Sequence, residues 1–277
     1  MQDKKAKKEN LISVFLLKYE LLHVAGNPYV HIFGVGLPVL LAMLITKVAL
    51  SDLPGEQWQP MATTSIYLGM GTLIPMAVLL MGYAVSYAQE LSRGIPERLQ
   101  LFGINKTALF CNRALLQFLF LLLAFAVFFL SGCLCYKLQR PTLYGLFAYV
   151  LCMAAFSMIC LALGHGIACV CRSFGKTYCV SIMLYFAFMI LGGMMGISYQ
   201  DLPKWVQSAA KLLPVTYINR DFYKIWTGET YNYIPMLQSY LFLGAVSGIL
   251  LFLALRGNAG IGLRSRMHGS DSTFPCL

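Results

Sequence analysis

Charged residues are scarce in this sequence. They make up 12% of its 277 residues, whereas 58% are hydrophobic. Soluble globular domains carry about 25% charged residues, so the composition excludes an ordinary soluble domain of this length. The apolar residues come instead in runs of about twenty, the length that crosses a bilayer core as an α-helix. Six runs are present, at 29–49, 62–86, 114–136, 143–171, 177–198 and 234–256.

These runs predict an all-α membrane protein with six transmembrane helices. A span in lipid must satisfy its backbone hydrogen bonds within its own helix or within a closed barrel. We treat residues 1–277 as a single transmembrane domain. Its predicted parts are a cytoplasmic amino terminus at 1–28, a six-span bundle at 29–256 and a cytoplasmic tail at 257–277.

The amino terminus contains the stretch LISVFLLKYELLHVAGNP. On a helical wheel, Asn10, Ser13 and Glu20 group on one side, and apolar residues such as Leu22 form a wide face on the other. This pattern predicts an interfacial helix that lies along the inner membrane surface and ends before Pro28.

Lysine and arginine set the predicted orientation of the spans, because cytoplasmic loops are enriched in them. Four segments hold 14 of the 21, namely 1–28, 87–113, 172–176 and 256–277, and the alternating segments 50–61, 137–142 and 199–233 hold six. We therefore expect a multi-pass protein of the cell membrane with both termini in the cytoplasm. The net charge of +10 follows from this topology and from contact with anionic lipid. The basic residues are spread over four loops, which argues against nucleic-acid binding.

Residues that bind metals or perform catalysis are few and scattered. The four histidines do not cluster with carboxylates at one membrane face, which disfavours a membrane-bound enzyme. Eight of the nine cysteines lie in or beside spans, where they act as small apolar residues. Cys133 and Cys135 lie near the outer end of the third span, where a disulfide is an open alternative, and their spacing does not suit zinc. We predict no catalytic residue, metal site or cofactor in this chain.

His165 is the one ionisable residue predicted deep within a span. Such residues are candidates for function, and the alternative is a neutral histidine that hydrogen-bonds a neighbouring carbonyl. No second histidine or carboxylate is expected at the midplane to relay a proton, and the sequence has no convincing internal repeat. An ion-coupled secondary transporter is therefore a disfavoured alternative.

The densest cluster of charge is YAQELSRGIPERLQLFGIN at 87–105, between the second and third runs. Pro96 suits the first turn of a helix, Gly103 suits its end, and Glu97 complements the helix dipole. One face of this helix holds Ile95, Leu99 and Phe102, and another holds Arg93, Glu97 and Gln100. The pattern predicts a short helix along the membrane, with its apolar face on the protein and its charged face toward the cytosol.

Two stretches resemble the ABC-2 type transporter permeases. QELSRGIPERLQLFGI is similar to the family's cytoplasmic segment between the second and third spans, whose acidic residue, glycine and Glu-Arg-Leu form a helix that docks into an ATPase subunit. DLPKWVQSAAKLLPVTY at 201–217 is similar to the family's outer segment before the last span. The resemblance covers nearly the whole chain. It departs from the family at Ile95-Pro96, where a threonine-type residue is usual.

The resemblance implies two sets of site residues, and the second span suggests a third. The ATPase-coupling set is Glu90, Arg93, Gly94, Glu97, Arg98, Leu99 and Gly103. The outer-gate set, on a short outer re-entrant helical segment, is Pro203, Trp205, Leu213, Pro214 and Tyr217. The candidate path-lining set, at polar positions around a kink predicted at proline 75, is Thr63, Thr64, Ser65, Thr72 and Pro75.

The function that the resemblance implies is the permease subunit of an ATP-driven exporter for a drug, peptide, lipid or glycan. RSFGKT at 172–177 ends like a phosphate-binding loop, but Val170 stands where the first glycine is required. ATP and Mg²⁺ are therefore expected on a separate ATPase subunit. The family also implies a second permease chain, in a homodimer or a heterodimer.

Overall fold

The structure is a computed structural model, and it describes residues 14–26, 28–51, 55–102, 104, 106–194 and 202–268. Every regular element within these residues is helical. Six helices are long and apolar enough to cross a membrane, at Ile32–Ser51, Glu56–Ser92, Thr107–Cys135, Leu143–Cys171, Phe174–Leu191 and Ile234–Ala254. They follow the six predicted runs in order, so the prediction of an all-α protein with six spans is confirmed.

We number the helices in chain order. The helix α1 is Val14–Ala25, and α2, which holds the first span, comprises Pro28–His31, Ile32–Gly36 and Leu37–Ser51. The second span, α3, comprises Glu56–Trp58, Gln59–Met70, Leu73–Pro75, Met76–Tyr83 and Ala84–Ser92. The remaining helices are α4 (Ile95–Leu101), α5 (Lys106–Cys135), α6 (Leu143–Cys171), α7 (Phe174–Leu191), α8 (Lys204–Ala210), α9 (Pro214–Thr227) and α10 (Ile234–His268).

The second span, α3, lies at the centre of the bundle. In its most apolar stretch of 18 residues, 89% of the residues are buried. The same fraction is 22% for the first, third and sixth spans. It packs against α2, α6 and α7, and α6 in turn packs along α10. The main apolar core therefore surrounds α3, and the outer faces of the other spans are left for lipid or for another chain.

The winding of α3 changes where the proline kink was predicted. A turn at Gly71 and Thr72 interrupts the helix, and a π-helical segment, Met76–Tyr83, follows Pro75. Proline has no backbone N–H to donate to the residue four positions earlier. The carbonyl of Gly71 accepts instead from the Ile74 N–H at 3.2 Å. Pro75 thus marks an irregular stretch in the most buried helix.

The amino-terminal helix α1 packs against α5, and the predicted position of Glu20 needs correction. Glu20, predicted on a polar face, is buried. Leu22, on the predicted apolar face, is 65% exposed, and its contact with the membrane surface stays a prediction. The helix turns this way because Glu20 finds a cationic partner within the bundle. Asn10 and Ser13 lie outside the described residues.

Two short helices, α8 and α9, follow the fifth span. The longer one, α9, packs against the Gln59–Met70 part of α3 and against α6. We call this end of the bundle the α9 end, and the opposite end, where α3 leads into α4, the α4 end. Beyond the sixth span, α10 continues to His268, well into the segment predicted as a tail. Residues 172 and 173, in the phosphate-loop-like stretch, join helix α6 to helix α7.

Candidate functional site

The loop between α3 and α5 contains a short helix, α4, at the predicted position. Gly94 precedes it with φ 65°, a left-handed conformation that glycine adopts without strain. Pro96 lies in the first turn, where its missing N–H costs no hydrogen bond. Glu97 lies in the same turn, near the positive end of the helix dipole. The helix ends at Leu101, and Gly103, predicted as its end, lies outside the described residues.

The inward side of α4 packs against α1 and α5. Leu99 and the following Ile104 contact a small buried cluster formed by Leu16 of α1 and by Ala108 and Leu109 of α5. These three elements are held together here by apolar packing rather than by a loop alone. The cluster therefore connects α4 with α1 and with the start of the third span.

One predicted apolar position of α4 is wrong. Ile95 and Leu99 are half-buried as expected, but Phe102 is 85% exposed and Pro96 is buried instead. Phe102 follows the last helical turn with φ −84° and ψ 9°, so it leaves the helical face on which the pattern placed it. The exposed side chains of this loop are Arg93, Glu97, Arg98, Leu101 and Phe102, which we call the α4 surface.

A buried ion-pair cluster lies behind α4. Arg113 of α5 donates from Nε to Glu20 Oε1 at 2.8 Å, and from Nη2 to Glu90 Oε2 at 2.8 Å and Oε1 at 3.1 Å. Each of the three residues is at most 4% exposed. We call Glu20, Glu90 and Arg113 the charge triad.

The triad changes the interpretation of Glu90, which was assigned to the ATPase-coupling set. Its carboxylate faces Arg113 inside the bundle and does not belong to the α4 surface. A buried carboxylate is costly without a paired cation, which explains the inward orientation. The carboxylate of Glu90 is therefore not presented at the surface for contact with another protein.

His165 lies close to the charge triad. Its Nδ1 is 2.6 Å from the Tyr83 hydroxyl, and its ring stacks on Tyr87 with 4.7 Å between centroids. The partner is thus a hydroxyl and not the backbone carbonyl considered from the sequence. Only six residues separate His165 from the end of α6 at Cys171, which is about 9 Å of helix. His165 therefore lies in the part of α6 nearest the α4 end.

At the α9 end, two polar side chains attach α9 to its neighbours. Thr216 Oγ1 donates to the Ala210 carbonyl at 2.7 Å, and Asn219 Nδ2 donates to the Gly192 carbonyl at 2.7 Å. Asn219 also packs so closely on Gly69 of α3 that a Cβ there would overlap its amide. The sequence analysis did not predict these roles of Thr216 and Asn219. The signal that could have indicated them is the presence of polar residues on the buried side of α9.

The outer-gate set divides into two groups. Pro203 and Trp205 lie at the start of α8 and are exposed, Trp205 by 77%. Leu213, Pro214 and Tyr217 lie at the start of α9 and are buried. Their role as a gate, and the entry of α8 and α9 into the membrane, stay predictions.

A surface ion pair lies beside the buried group of the outer-gate set. Arg220 stands over the Tyr217 ring at 5.5 Å from its centroid. Asp221 accepts hydrogen bonds from Arg220, which raises the pKa of this guanidinium above its usual value. The pair is partly exposed, since 42% of the Arg220 side chain is accessible.

The path-lining set lies mostly within the packed core of one chain. Thr64 and Thr72 are buried, and their hydroxyls bond to the Gln139 N–H at 2.8 Å and to the Gly69 carbonyl at 2.8 Å. Pro75 is buried and Ser65 is half-buried. Thr63 borders a cavity of about 380 Å³ at the α9 end. A path along this set therefore requires α3 to move relative to its neighbours.

The cysteines at the α9 end are unbridged in the described part of the chain. Cys133 and Cys135 are both free and exposed, and they border the same cavity as Thr63. Within the described residues, no group of three or more histidine, cysteine, aspartate or glutamate side chains could hold a metal ion.

Comparison with known protein families decides the class of the chain. The model of the ABC-2 family transporter proteins matches residues 31–256, which run from the first span to the sixth. The chain belongs to this family. The ABC-2 permease matches no curated protein and no solved structure. The family confirms the resemblance seen in the sequence and makes this chain a membrane component of a transport system.

The sequence of this permease did not predict the charge triad. The sequence pattern groups Glu20 with the polar residues of its helix and does not single out Arg113. One signal was available, because an arginine in a span needs an anionic partner. The two partners are 93 and 23 residues away along the chain, so the local pattern did not indicate which carboxylates they would be.

Proposed function

We propose that this ABC-2 permease is the membrane subunit of an ATP-driven exporter that moves a drug, peptide, lipid or glycan out of the cytoplasm. ATP and Mg²⁺ bind to a separate ABC ATPase subunit. Two permease chains, identical or related, form the membrane part in the cell membrane. Both termini and the α4 surface lie in the cytoplasm.

The observation that carries this proposal is the α4 surface. It combines exposed charges at Glu97 and Arg98 with two exposed apolar side chains, Leu101 (87%) and Phe102 (85%). Adjacent apolar side chains that are exposed on a loop are typical of a protein-binding surface. Behind this surface, Leu99 packs against α1 and α5, so a bound subunit would act directly on the bundle.

The basic residues support the proposed orientation. Arg93, Arg98, Arg172 and Lys176 lie at the α4 end, where the positive-inside rule places the cytoplasm. An ATPase subunit is soluble and cytoplasmic, so it would meet the permease at this end.

The test is the reversal of charge on the α4 surface, with Glu97→Lys and Arg98→Glu combined. The tagged permease is purified from its source membrane, and the associated ATPase is identified by its peptides and by vanadate-sensitive ATP hydrolysis. We expect wild-type permease to retain the ATPase and the double variant to lose it while still inserting into the membrane. Lys18→Gln, which removes an exposed charge from α1, serves as the matched control and should retain the ATPase.

Two results would contradict the proposal. One is a wild-type permease that purifies without any ABC ATPase under conditions that keep it folded. The other is a double variant that binds and stimulates the ATPase as the wild type does, because the α4 surface would then not be the docking site.

A further inference from the structure

The charge triad joins three separate elements through one side chain. Arg113 lies on α5, Glu20 on the amino-terminal helix α1, and Glu90 on the last turns of α3, four residues before Gly94 and α4. The guanidinium has a planar donor arrangement that can hold two carboxylates at fixed angles. The relative positions of α1, α3 and α5 are thus set at one point.

A second contact joins α1 and α5 to α4. Leu99 of α4 packs against the buried cluster of Leu16 of α1 with Ala108 and Leu109 of α5. In α1, Leu16 and Glu20 are four residues apart and therefore lie on one helix face. Ala108 and Arg113 are five residues apart on α5. A displacement of α4 would first move the side chains of this apolar contact. The triad lies one helical turn further into the bundle.

The two arms of the triad are not equivalent. Glu90 meets Arg113 through both carboxylate oxygens. Glu20 meets it through Oε1 alone, which lies 2.8 Å from Nε and 2.7 Å from Nη2, and its Oε2 atom is buried without a hydrogen-bond partner among the described residues. A cavity of about 10 Å³ lies beside it, lined also by Gln117, whose Oε1 likewise has no described partner. A cavity of this size holds about one water molecule. Water can therefore reach one oxygen of Glu20, whereas both oxygens of Glu90 are occupied by Arg113.

We propose that Arg113 is a positioning residue for coupling: it binds α3 permanently through Glu90 and α1 reversibly through Glu20, so that displacement of α4 is passed to the second span. This inference rests on the proposed function, since it assumes that an ATPase moves α4. Release of Glu20 lets α1 move with α4, and Arg113 keeps the end of α3 in register with α5. The triad thereby transmits a movement that begins outside the membrane.

The first test uses the permease alone, so it does not depend on an ATPase. Glu20→Gln and Glu90→Gln are measured singly and together by thermal unfolding in nanodiscs. Each single variant leaves Arg113 with one carboxylate, and the double variant leaves a buried cation unpaired. We expect the double variant to lose more stability than the sum of the two single losses. Additive losses would overturn the proposal, because Arg113 would then not join the two arms.

The second test uses the complex with the ATPase that co-purifies. Lys204→Cys, in a background whose other cysteines are serine, reports the α9 end through its labelling rate with a membrane-impermeant maleimide in proteoliposomes. The triple variant Glu20→Leu, Arg113→Met and Glu90→Leu removes the charges without leaving one unpaired, so it should fold. We expect it to bind the ATPase and hydrolyse ATP as the wild type does, but to lower the ATP-dependent change in labelling about tenfold, as expected for the loss of a coupling between sites.

Each result separates the two proposals. A triple variant that keeps the full ATP-dependent change would overturn the role of Arg113 and leave the exporter function intact. If the wild type binds no ATPase, the exporter function fails, and the unfolding experiment still decides whether Arg113 joins the two arms. Arg113→Lys keeps the charge but not the planar donor geometry, and we expect it to restore only part of the labelling change. Full coupling in Arg113→Lys would contradict the positioning role.

Discussion

At the scale of single residues, burial decides the value of an ion pair in this permease. Arg113 and Arg220 both contact carboxylates at 2.7 Å, but their side chains are 4% and 42% exposed. Removal of one partner from a buried pair leaves an uncompensated charge in a medium of low polarity. An exposed pair gains little, because water already solvates both partners.

We therefore predict unequal losses of stability for two matched variants. Arg113→Met should cost about 3–5 kcal/mol, because Glu20 and Glu90 become buried charges without a cation. Arg220→Met should cost about 1 kcal/mol or less. Thermal unfolding of both variants in the same nanodiscs measures the difference. Equal losses would mean that the triad is solvated in the membrane and not buried as described.

His165 gives a second prediction at this scale. It is enclosed by Tyr83, Tyr87 and Phe110 and bonds to the Tyr83 hydroxyl, so its role in the described conformation is packing and hydrogen bonding. His165→Gln keeps a side-chain amide that can donate to or accept from that hydroxyl, and it should cost about 1 kcal/mol of stability. Transport in proteoliposomes with the ATPase present should continue.

Two results would contradict the prediction for His165. Loss of transport while assembly and ATP hydrolysis persist, or transport driven by a proton gradient alone, would assign His165 a role in ion coupling. Tyr83→Phe is the control for the bond itself, since it removes the hydroxyl and keeps the ring.

At the scale of elements, the position of α9 depends on a close approach to α3. Asn219 occupies the space in which a side chain at Gly69 would stand. Gly69→Ala should therefore displace α9 and lower stability by about 1–3 kcal/mol, the usual cost of overpacking a core. Gly248→Ala in α10 is the matched control, because no neighbouring element in the described part of the chain lies within 4 Å of the added carbon. The control should be neutral or more stable by about 0.5–1 kcal/mol.

Thermal unfolding of both glycine variants, with labelling of Lys204→Cys to follow the α9 end, checks this prediction. A Gly69→Ala variant as stable as the wild type would mean that α9 is not packed on α3 as described.

The elements also show what the sequence could predict. Apolar runs give the six spans directly, because the membrane requires about twenty apolar residues for each. Pro96 and Glu97 predicted the start of α4, because helix termini have local chemistry. The predicted orientations of Glu20 and Phe102 were wrong, and the inward orientation of Glu90 was not predicted. Orientation depends on contacts between elements that are distant in sequence. A helical wheel separates the faces of a helix but does not show which face meets a buried cation.

At the scale of the whole molecule, the distribution of basic residues predicts the orientation in the membrane. The α4 surface and Lys176 should lie inside the cell, and Lys204 of α8 should lie outside. In a cysteine-free background, Lys204→Cys should react with an impermeant maleimide added to intact cells. Lys176→Cys should react only after the cells are opened. The reverse pattern would place α4 outside and remove the basis for ATPase docking there.

The last prediction concerns the number of chains. In the most apolar 18 residues of the second span, 89% of the residues are buried within one chain. The hydroxyls of its residues Thr64 and Thr72 already make hydrogen bonds within the chain. In the first, third and sixth spans only 22% of the corresponding residues are buried, so the outer faces of these spans are available to another chain. Since one bundle leaves little room for a central path, we expect two permease chains in each transporter. Mass photometry of the purified complex should give two, and differently tagged copies should co-purify unless the second chain is a related permease. A fully active complex with a single permease chain would place the path within one bundle and require α3 to open it.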